Sequence, residues 1–147
     1  MSNKTLSIVT PIYKDSYVAE AFVKDALALN LGNVRLNEII FVVDGSGSGD
    51  EQTIKELAAS YDVVTGITLS RNFGQHIAVT AGYNSSTSYY TCMLNVDQQD
   101  PVSEIPKLID ALENKEGDIV YGLRNDRKDH YFKTISSRLF NLFLNKL

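Results

Sequence analysis

The stretch Glu38-Ile39-Ile40-Phe41-Val42-Val43-Asp44-Gly45-Ser46-Gly47 places an apolar run directly before a polar, glycine-containing turn. A short, β-branched run bounded by turn residues is typical of a strand buried on both faces of a parallel sheet. Helical spacing follows over residues 50–61, with Ile54, Leu57 and Ala58 expected to face inward. This part of the chain therefore predicts a strand, a polar turn and a helix.

The same alternation continues on both sides of that stretch. Further strands are predicted over residues 6–12, 63–69, 89–94 and 118–122, and further helices over residues 16–29, 75–84, 101–114 and 131–147. We expect Ser16 and Asp100 to be N-caps and Pro101 to be the first helical residue. Strands that alternate with helices predict right-handed crossovers and a parallel sheet. The expected fold class is therefore α/β, as one domain over residues 1–147 that is truncated at its C-terminal end.

Composition restricts the possible partners and the compartment. The chain has 147 residues, 44% of them hydrophobic, and a net charge of −4, which argues against nucleic acid as a general partner. A single cysteine, Cys92, excludes an internal disulfide bond. No apolar run reaches the roughly 18 residues that a membrane span needs. We expect a cytoplasmic location, with membrane association left open for the full-length protein.

The C-terminal end is basic. From Arg124 onward the chain has six basic and two acidic residues, so this end carries +4 and residues 1–123 carry −8. The predicted helix Tyr131–Leu147 has an apolar stripe that includes Phe132, Ile135 and Leu139. It fits either a helix packed on the core or an interfacial helix against anionic lipid.

Polar residues follow each predicted strand, where ligands bind in open parallel sheets. Asn95, Asp97 and Gln99 alternate, so an extended segment would direct their oxygens to one point, as Mg²⁺ or Mn²⁺ requires. The alternative is a strand-to-helix turn capped by Asp100. Asp44 can accept a hydrogen bond from a base or a ribose, or can belong to a plain Gly/Ser turn. Arg71 can stack on a base, pair with phosphate or form a salt bridge.

Together, these motifs make the chain resemble the family 2 glycosyltransferases, especially the group of dolichyl-phosphate mannosyltransferase and bactoprenol glucosyltransferase. The resemblance covers essentially the whole chain. The motifs that carry it are Ser7-Ile8-Val9-Thr10-Pro11-Ile12-Tyr13, Glu38-Ile39-Ile40-Phe41-Val42, Asp44-Gly45-Ser46, Ser70-Arg71-Asn72-Phe73-Gly74, Thr80-Ala81-Gly82, Gln99-Asp100-Pro101, Tyr121-Gly122-Leu123-Arg124 and Ser137-Arg138-Leu139-Phe140.

This resemblance implies a Rossmann-like glycosyltransferase A fold with a mainly parallel central sheet flanked by helices. It implies an inverting hexosyltransferase domain that moves a sugar from a UDP- or GDP-linked donor to a polyprenyl phosphate, as in cell-envelope glycan biosynthesis. Membrane-surface contact would involve Tyr131–Leu147. The implied nucleotide site contains Pro11, Tyr13, Asp44, Arg71 and Asn95. The implied metal ligands are Asp97, Gln99 and Asn95, and the implied catalytic residues are Asp97 and Arg124, with Lys133 or Arg138 as further phosphate contacts.

Two residues depart from the family pattern. Val43 and Asn95 stand where the family usually has aspartate, so one carboxylate is lost at each of two motifs. This leaves open a degenerate module that binds a nucleotide sugar without turnover. A family 2 enzyme with a hydroxyl acceptor is a further alternative, which would need a base from outside these motifs. An unrelated flavodoxin-like or regulatory α/β domain would require the whole motif set to be coincidental.

Overall fold

The computed structural model describes residues 4–97, 99, 101–114 and 117–122. Within these residues the chain alternates four strands with four helices, as the sequence predicts up to residue 114. The elements are β1 (Thr5–Ile12), α1 (Ala19–Leu27), β2 (Arg35–Val43), α2 (Ser48–Ser60), β3 (Val64–Thr68), α3 (Gln75–Ser85), β4 (Tyr90–Met93) and α4 (Ile105–Asn114).

The four strands form one sheet in the order β3-β2-β1-β4, and every neighbouring pair is parallel. The central strands β1 and β2 carry the most buried residues, because helices cover both of their faces. The predicted parallel sheet is confirmed. Since all four strands run the same way, their carboxyl ends lie at one edge of the sheet.

The larger core lies on the sheet face covered by α1 and α2. The rings of Phe22 and Phe41 meet there edge to face, with their centroids 6.1 Å apart, a geometry that adds about 0.5–1.5 kcal/mol to simple burial. On the opposite face, α3 packs on Val9 and Val42 through Gly82. A Cβ at Gly82 would lie 2.3 Å from Val9 Cγ1, so this contact requires a residue without a side chain.

Two predicted helix starts are wrong by a few residues. A short 3₁₀ turn precedes each of these two helices: Ser16–Val18 lies before α1, and Val102–Glu104 lies before α4. Ser16 makes no capping hydrogen bond to the helix, because its hydroxyl donates to Asp50 instead. Pro101 precedes the 3₁₀ turn in an extended conformation, so it is not the first helical residue. The predicted cap Asp100 lies outside the described residues.

The predicted fifth strand, residues 118–122, is also wrong. These residues have no strand structure, and the side chains of Ile119 and Tyr121 are 69% and 80% exposed. No strand among the described residues pairs with this segment, and of its apolar side chains only Val120 is partly buried. The predicted last helix, residues 131–147, lies outside the described part of the chain. None of the described helices is long and apolar enough to cross a membrane.

Candidate functional site at the carboxyl edge of the sheet

Four loops follow the strand ends, and we call them together the carboxyl edge: residues 13–16, 44–47, 69–74 and 94–97. The loop after β4 is fixed to β1 in the core. The Leu94 amide donates to the Val9 carbonyl over 3.1 Å, and the buried Thr10 hydroxyl donates to the Leu94 carbonyl. Pro11 lies near the end of β1, half-buried and opposite Val42.

Asp44 joins two of these loops. Its carboxylate is 3% exposed and accepts the amide N–H groups of Phe73 and Gly74, each over 2.8 Å. A carboxylate that accepts main-chain N–H groups fixes the path of the loop that carries them. Asp44, which was predicted to contact the nucleotide, therefore lies against the loop after β3. Both of its carboxylate oxygens accept main-chain N–H groups of that loop.

Gly45 allows that loop to approach closely. Its φ of +61° lies in the left-handed region, and a Cβ there would be 2.2 Å from the carbonyl carbon of Arg71. The two loops are thus in main-chain contact. This contact was not visible from the sequence, which placed Gly45 only in a polar, glycine-containing turn.

Arg71 projects from the same contact. The residue is exposed, and its guanidinium carbon lies 4.8 Å from the centroid of the Phe73 ring. None of the ion pairs between described residues includes Arg71. Of the three alternatives predicted for Arg71, a salt bridge is therefore absent from the described part of the chain. Stacking on a planar group and pairing with an anion remain for its exposed guanidinium.

Asp50, in the first turn of α2, joins the loops after β1 and β2. It accepts the Lys14 amide over 2.7 Å, the Ser16 amide over 3.3 Å and the Ser16 hydroxyl over 2.6 Å, and it also accepts the Ser46 hydroxyl. Partial burial acts to raise the pKa of this carboxyl, but the bonds from Ser16, Ser46 and the amides outweigh it and hold the pKa below its usual range. Sequence reasoning treated Asp50 only as the start of a helix. An acidic residue just after a Gly/Ser loop was the one available signal.

The loop after β1 carries two exposed side chains. Tyr13 is 46% exposed, and its amide donates to Asp15 Oδ1 over 2.9 Å. Lys14 has a φ of +66° and holds its ammonium 5.1 Å from the centroid of the Tyr13 ring. An aromatic ring and a cation are therefore presented together beside the end of β1.

The predicted metal ligands do not form the extended row that the sequence suggested. Val96 and Asp97 lie in a turn, because Asp97 Oδ1 accepts the Gln99 amide over 3.1 Å and closes the chain two residues ahead. Asn95 Oδ1 accepts a hydrogen bond from Gln75 Nε2 over 3.1 Å. Asp97 and Gln99 are exposed. Among the residues described, no group of three His, Cys, Asp or Glu side chains could hold a metal ion.

Negative charge nevertheless gathers near Asp97. Burial is the main cause that raises the pKa of Asp15, and the nearby charges of Asp50 and Asp97 raise it further. The carboxyl edge thus carries several acidic side chains within electrostatic reach of one another. One exposed carboxylate suits a divalent ion that arrives with a diphosphate, because Mg²⁺ takes most of its ligands from phosphate and water.

An open groove runs between the loops after β1 and β2. Its volume is about 570 Å³, within the range of small-molecule sites. Polar side chains and glycine backbone form its walls. The lining residues are Lys14, Ser16, Tyr17, Ser46, Gly47, Ser48, Gly49, Asp50 and Thr53.

Residues 7–146 match the family model described as glycosyl transferase family 2. The chain belongs to this family. The predicted family and the predicted enzyme class, glycosyltransferase, are therefore confirmed.

Two curated relatives of this glycosyltransferase domain carry the same name. An undecaprenyl-phosphate 4-deoxy-4-formamido-L-arabinose transferase of Aeromonas hydrophila is 32% identical over 145 residues, which cover 97% of this chain and 44% of that protein. A protein of the same name from Edwardsiella ictaluri is 33% identical over 137 residues, which cover 92% of this chain and 42% of that protein. The chain thus spans less than half the length of these relatives.

Two solved structures share the fold of this family 2 domain. The mannosyltransferase PcManGT from Pyrobaculum calidifontis, solved in complex with GDP-Man and Mn²⁺, superposes with a TM-score of 0.59 at 13% identity, over 76% of this chain and 34% of that one. S. aureus TarS, residues 1–349, gives a TM-score of 0.55 at 14% identity, over 82% of this chain and 38% of that one. The predicted glycosyltransferase A fold is confirmed.

Some of the predicted site residues of this glycosyltransferase lie outside the described residues. They are Arg124, Lys133, Arg138 and the proposed membrane-contacting segment Tyr131–Leu147. Of the others, the structure brings Tyr13, Asp44, Arg71, Asn95 and Asp97 to the carboxyl edge.

Proposed function

We propose that residues 1–147 form a donor-binding catalytic domain that transfers a sugar from a UDP- or GDP-linked donor to a polyprenyl phosphate. The observation that carries this proposal is the way two carboxylates organise the carboxyl edge. Asp44 and Asp50 accept main-chain N–H groups and hold the loops in place. Exposed groups suited to a nucleotide diphosphate then project from those loops.

The nucleoside would occupy the groove between the loops after β1 and β2. Tyr13 and Arg71 lie on adjoining loop positions outside the lining of the groove, where Tyr13 offers an aromatic face and Arg71 a planar cation for the base or a phosphate. Asp44 would act on this nucleotide through the loop after β3, because its oxygens are already bonded to main-chain amides. Pro11 would support the site from the end of β1.

Mg²⁺ or Mn²⁺ would reach the site together with the diphosphate of the donor. Asp97 would supply an exposed carboxylate oxygen, and Asn95 could supply an amide oxygen if it releases Gln75. Gln99 follows on the same turn. When bound, the ion would neutralise charge that develops on the departing diphosphate.

Transfer requires little proton chemistry from the protein. An oxygen of the acceptor phosphate, already anionic near neutral pH, would bond to the anomeric carbon as the bond to the diphosphate breaks, with inversion of configuration. The work of the chain would be positioning and charge neutralisation. The name of the curated relatives supports undecaprenyl phosphate or a similar lipid as acceptor. Arg124 for phosphate and Tyr131–Leu147 for the membrane surface remain predictions.

A second candidate function is donor binding without turnover. Val43 is fully buried in the core, so its side chain cannot contact a ligand at this edge. Asn95 is neutral and already bonded to Gln75. With two family carboxylates absent, the affinity for a divalent ion would be lower than at a site with both.

Calorimetric titration with UDP and GDP, each with and without Mn²⁺, tests the proposal. We expect one nucleotide to bind, and Mn²⁺ to tighten binding in the wild-type chain and much less in Asp97→Ala. Asp62→Ala removes another exposed aspartate, in the loop between α2 and β3 at the other end of the sheet, and should bind as the wild type does. Transfer to undecaprenyl phosphate in detergent then separates the two functions. Binding that ignores Mn²⁺, without transfer, favours the second function, and failure to bind either nucleotide overturns both.

A further inference from the structure

We infer that Asp50 is a positioning residue for the nucleotide-sugar donor, acting by holding the loops after β1 and β2 together as the two walls of the groove. The identity of the ligand rests on the proposed function. The role of Asp50 rests on contacts that join two separate parts of the chain.

The carboxylate is fully engaged by these loops. Oδ1 accepts the amide and the hydroxyl of Ser16, and Oδ2 accepts the Lys14 amide and the Ser46 hydroxyl. Four donors on two oxygens leave little capacity for a ligand. Asp50 is therefore placed to shape the groove, while other groups contact what the groove holds.

The bond from Lys14 determines where the exposed groups of the first wall lie. Lys14 has a φ of +66°, a conformation that residues other than glycine rarely adopt. Its amide belongs to the peptide bond between Tyr13 and Lys14, so holding this amide restrains the main chain from which Lys14 lines the groove and from which the adjoining Tyr13 projects. Loss of the acceptor would let this peptide rotate toward a more common conformation.

The bond from Ser46 fixes the second wall. Ser46 lies directly after Gly45, whose main chain contacts Arg71. Asp50 therefore connects the loop that carries Tyr13 to the loop against which Arg71 is packed. The bonds also require an ionised carboxylate, since an amide would point its own N–H groups at two of the four donors. The lowered pKa of Asp50 agrees with this.

Asp50→Asn tests the inference, because it keeps the size of the side chain and removes two acceptor positions. The matched control is Glu51→Gln, which removes a carboxylate at the next, exposed position of α2. Affinity for UDP and GDP with Mn²⁺, donor KM and kcat, and thermal unfolding are measured on all three proteins. A tenfold loss of affinity corresponds to about 1.4 kcal/mol, roughly one hydrogen bond to a charged group. We expect Asp50→Asn to weaken nucleotide affinity and raise donor KM at least tenfold, with kcat changed far less and the control unchanged.

The outcomes separate this inference from the proposed function. If the wild type binds a nucleotide and folded Asp50→Asn binds it equally well, the positioning role is overturned while the proposed function stands. If the wild type binds none, the proposed function fails and the inference fails with it. If Asp50→Asn does not fold, Ser16→Ala and Ser46→Ala each remove one hydroxyl donor to Asp50. Equal nucleotide affinity in both folded variants would then overturn the inference.

Discussion

The two ends of the parallel sheet use acidic side chains in different ways. At the carboxyl edge, Asp44 and Asp50 accept main-chain N–H groups from loops. At the amino end, Glu38 and Glu113 accept mainly from side chains: Glu38 from the hydroxyls of Ser7 and Thr87, with one main-chain N–H from Thr87, and Glu113 from Lys4 and Tyr90. The amino edge, as we call these six residues, therefore connects elements mainly through side chains, of which Ser7 is buried and the others are exposed or half-buried.

The two kinds of hydrogen bond therefore have different effects: one determines the path of a loop, and the other holds two elements together. A main-chain donor fixes the course of a loop and leaves the side chains of that loop available, as Tyr13 and Arg71 are. A side-chain donor ties two elements without defining a loop path. The comparison predicts that changes at the carboxyl edge cost more than equivalent changes at the amino edge.

The largest effect is expected for Gly45→Ala. The alanine would have to keep the left-handed φ of Gly45, and its methyl group would lie 2.2 Å from the carbonyl carbon of Arg71. Left-handed strain costs about 1–3 kcal/mol, and overpacking adds about 1–3 kcal/mol. Chemical denaturation should show a loss of roughly 2–6 kcal/mol in the free energy of unfolding. Gly49→Ala is the control, since its φ is not in the left-handed region and no atom lies near its Cβ. Equal stability of the two variants would contradict the described loop contact.

Asp44→Ala is expected to have the next largest effect. It leaves the amides of Phe73 and Gly74 without their acceptor, and each hydrogen bond to a charged group contributes about 1.5–3 kcal/mol. We expect a loss of about 2–4 kcal/mol in the free energy of unfolding and faster hydrogen exchange at these two amides. Asp97→Ala removes an exposed carboxylate at the same edge and should cost less than about 0.5 kcal/mol. If the amides of Asp44→Ala stay protected, Asp44 does not hold this loop.

The sheet was predictable because its central strands are continuous apolar runs. β2 is buried on both faces from Ile39 to Val43, as the run itself indicates. The segment 118–122 has similar β-propensity but gains nothing from it, since a strand also needs a neighbour with which to pair. The β-propensity of a segment depends on its own residues, whereas strand pairing depends on residues far away in the chain.

The site was only partly predictable for a related reason. The prediction that Asp44 and Asp97 follow strand ends agrees with their position at the carboxyl edge. The partners of Asp44 lie 29 and 30 residues away, and those of Asp50 lie up to 36 residues away among the loops. Contacts over such separations leave no periodic signal. The contacts of Asp50 were therefore not predicted, and neither were the main-chain amides that bond to the Asp44 carboxylate.

At the amino edge, Glu38→Gln should have a moderate effect that depends on pH. Burial acts to raise the pKa of Glu38, but hydrogen bonds from Ser7 and Thr87 outweigh it and lower the pKa below the ordinary 4.5. For a lowered carboxyl pKa, the stabilisation is complete above pH 4.5 and is lost as pH falls through the folded-state value. We expect the variant to lose about 1 kcal/mol at pH 7 and to show a shallower decline in acid. Glu51→Gln should follow the wild-type pH curve, and parallel curves for all three proteins would exclude this role of Glu38.

The smallest effect is expected for Glu113→Gln. Lys4 donates to Glu113 over 2.9 Å and to Tyr90 over 3.1 Å, and the bond to Glu113 is the main cause that raises the pKa of Lys4. A raised lysine pKa stabilises the fold below the unfolded value of 10.5 and loses that effect as pH rises through the folded value, so the pair is intact at pH 7.

The ion pair between Lys4 and Glu113 is weakened because both side chains are partly exposed to solvent. Water and salt screen it, so the melting temperature should fall less than in Glu38→Gln, and the difference from wild type should vanish near 1 M NaCl, where the Debye length is about 3 Å. Glu104→Gln, which breaks the exposed pair with Lys107, provides a matched reference. A loss in Glu113→Gln that persists in salt and exceeds that of Asp44→Ala would reverse the comparison. The ion pair at the amino edge would then hold the fold more strongly than the loop-binding carboxylates at the carboxyl edge.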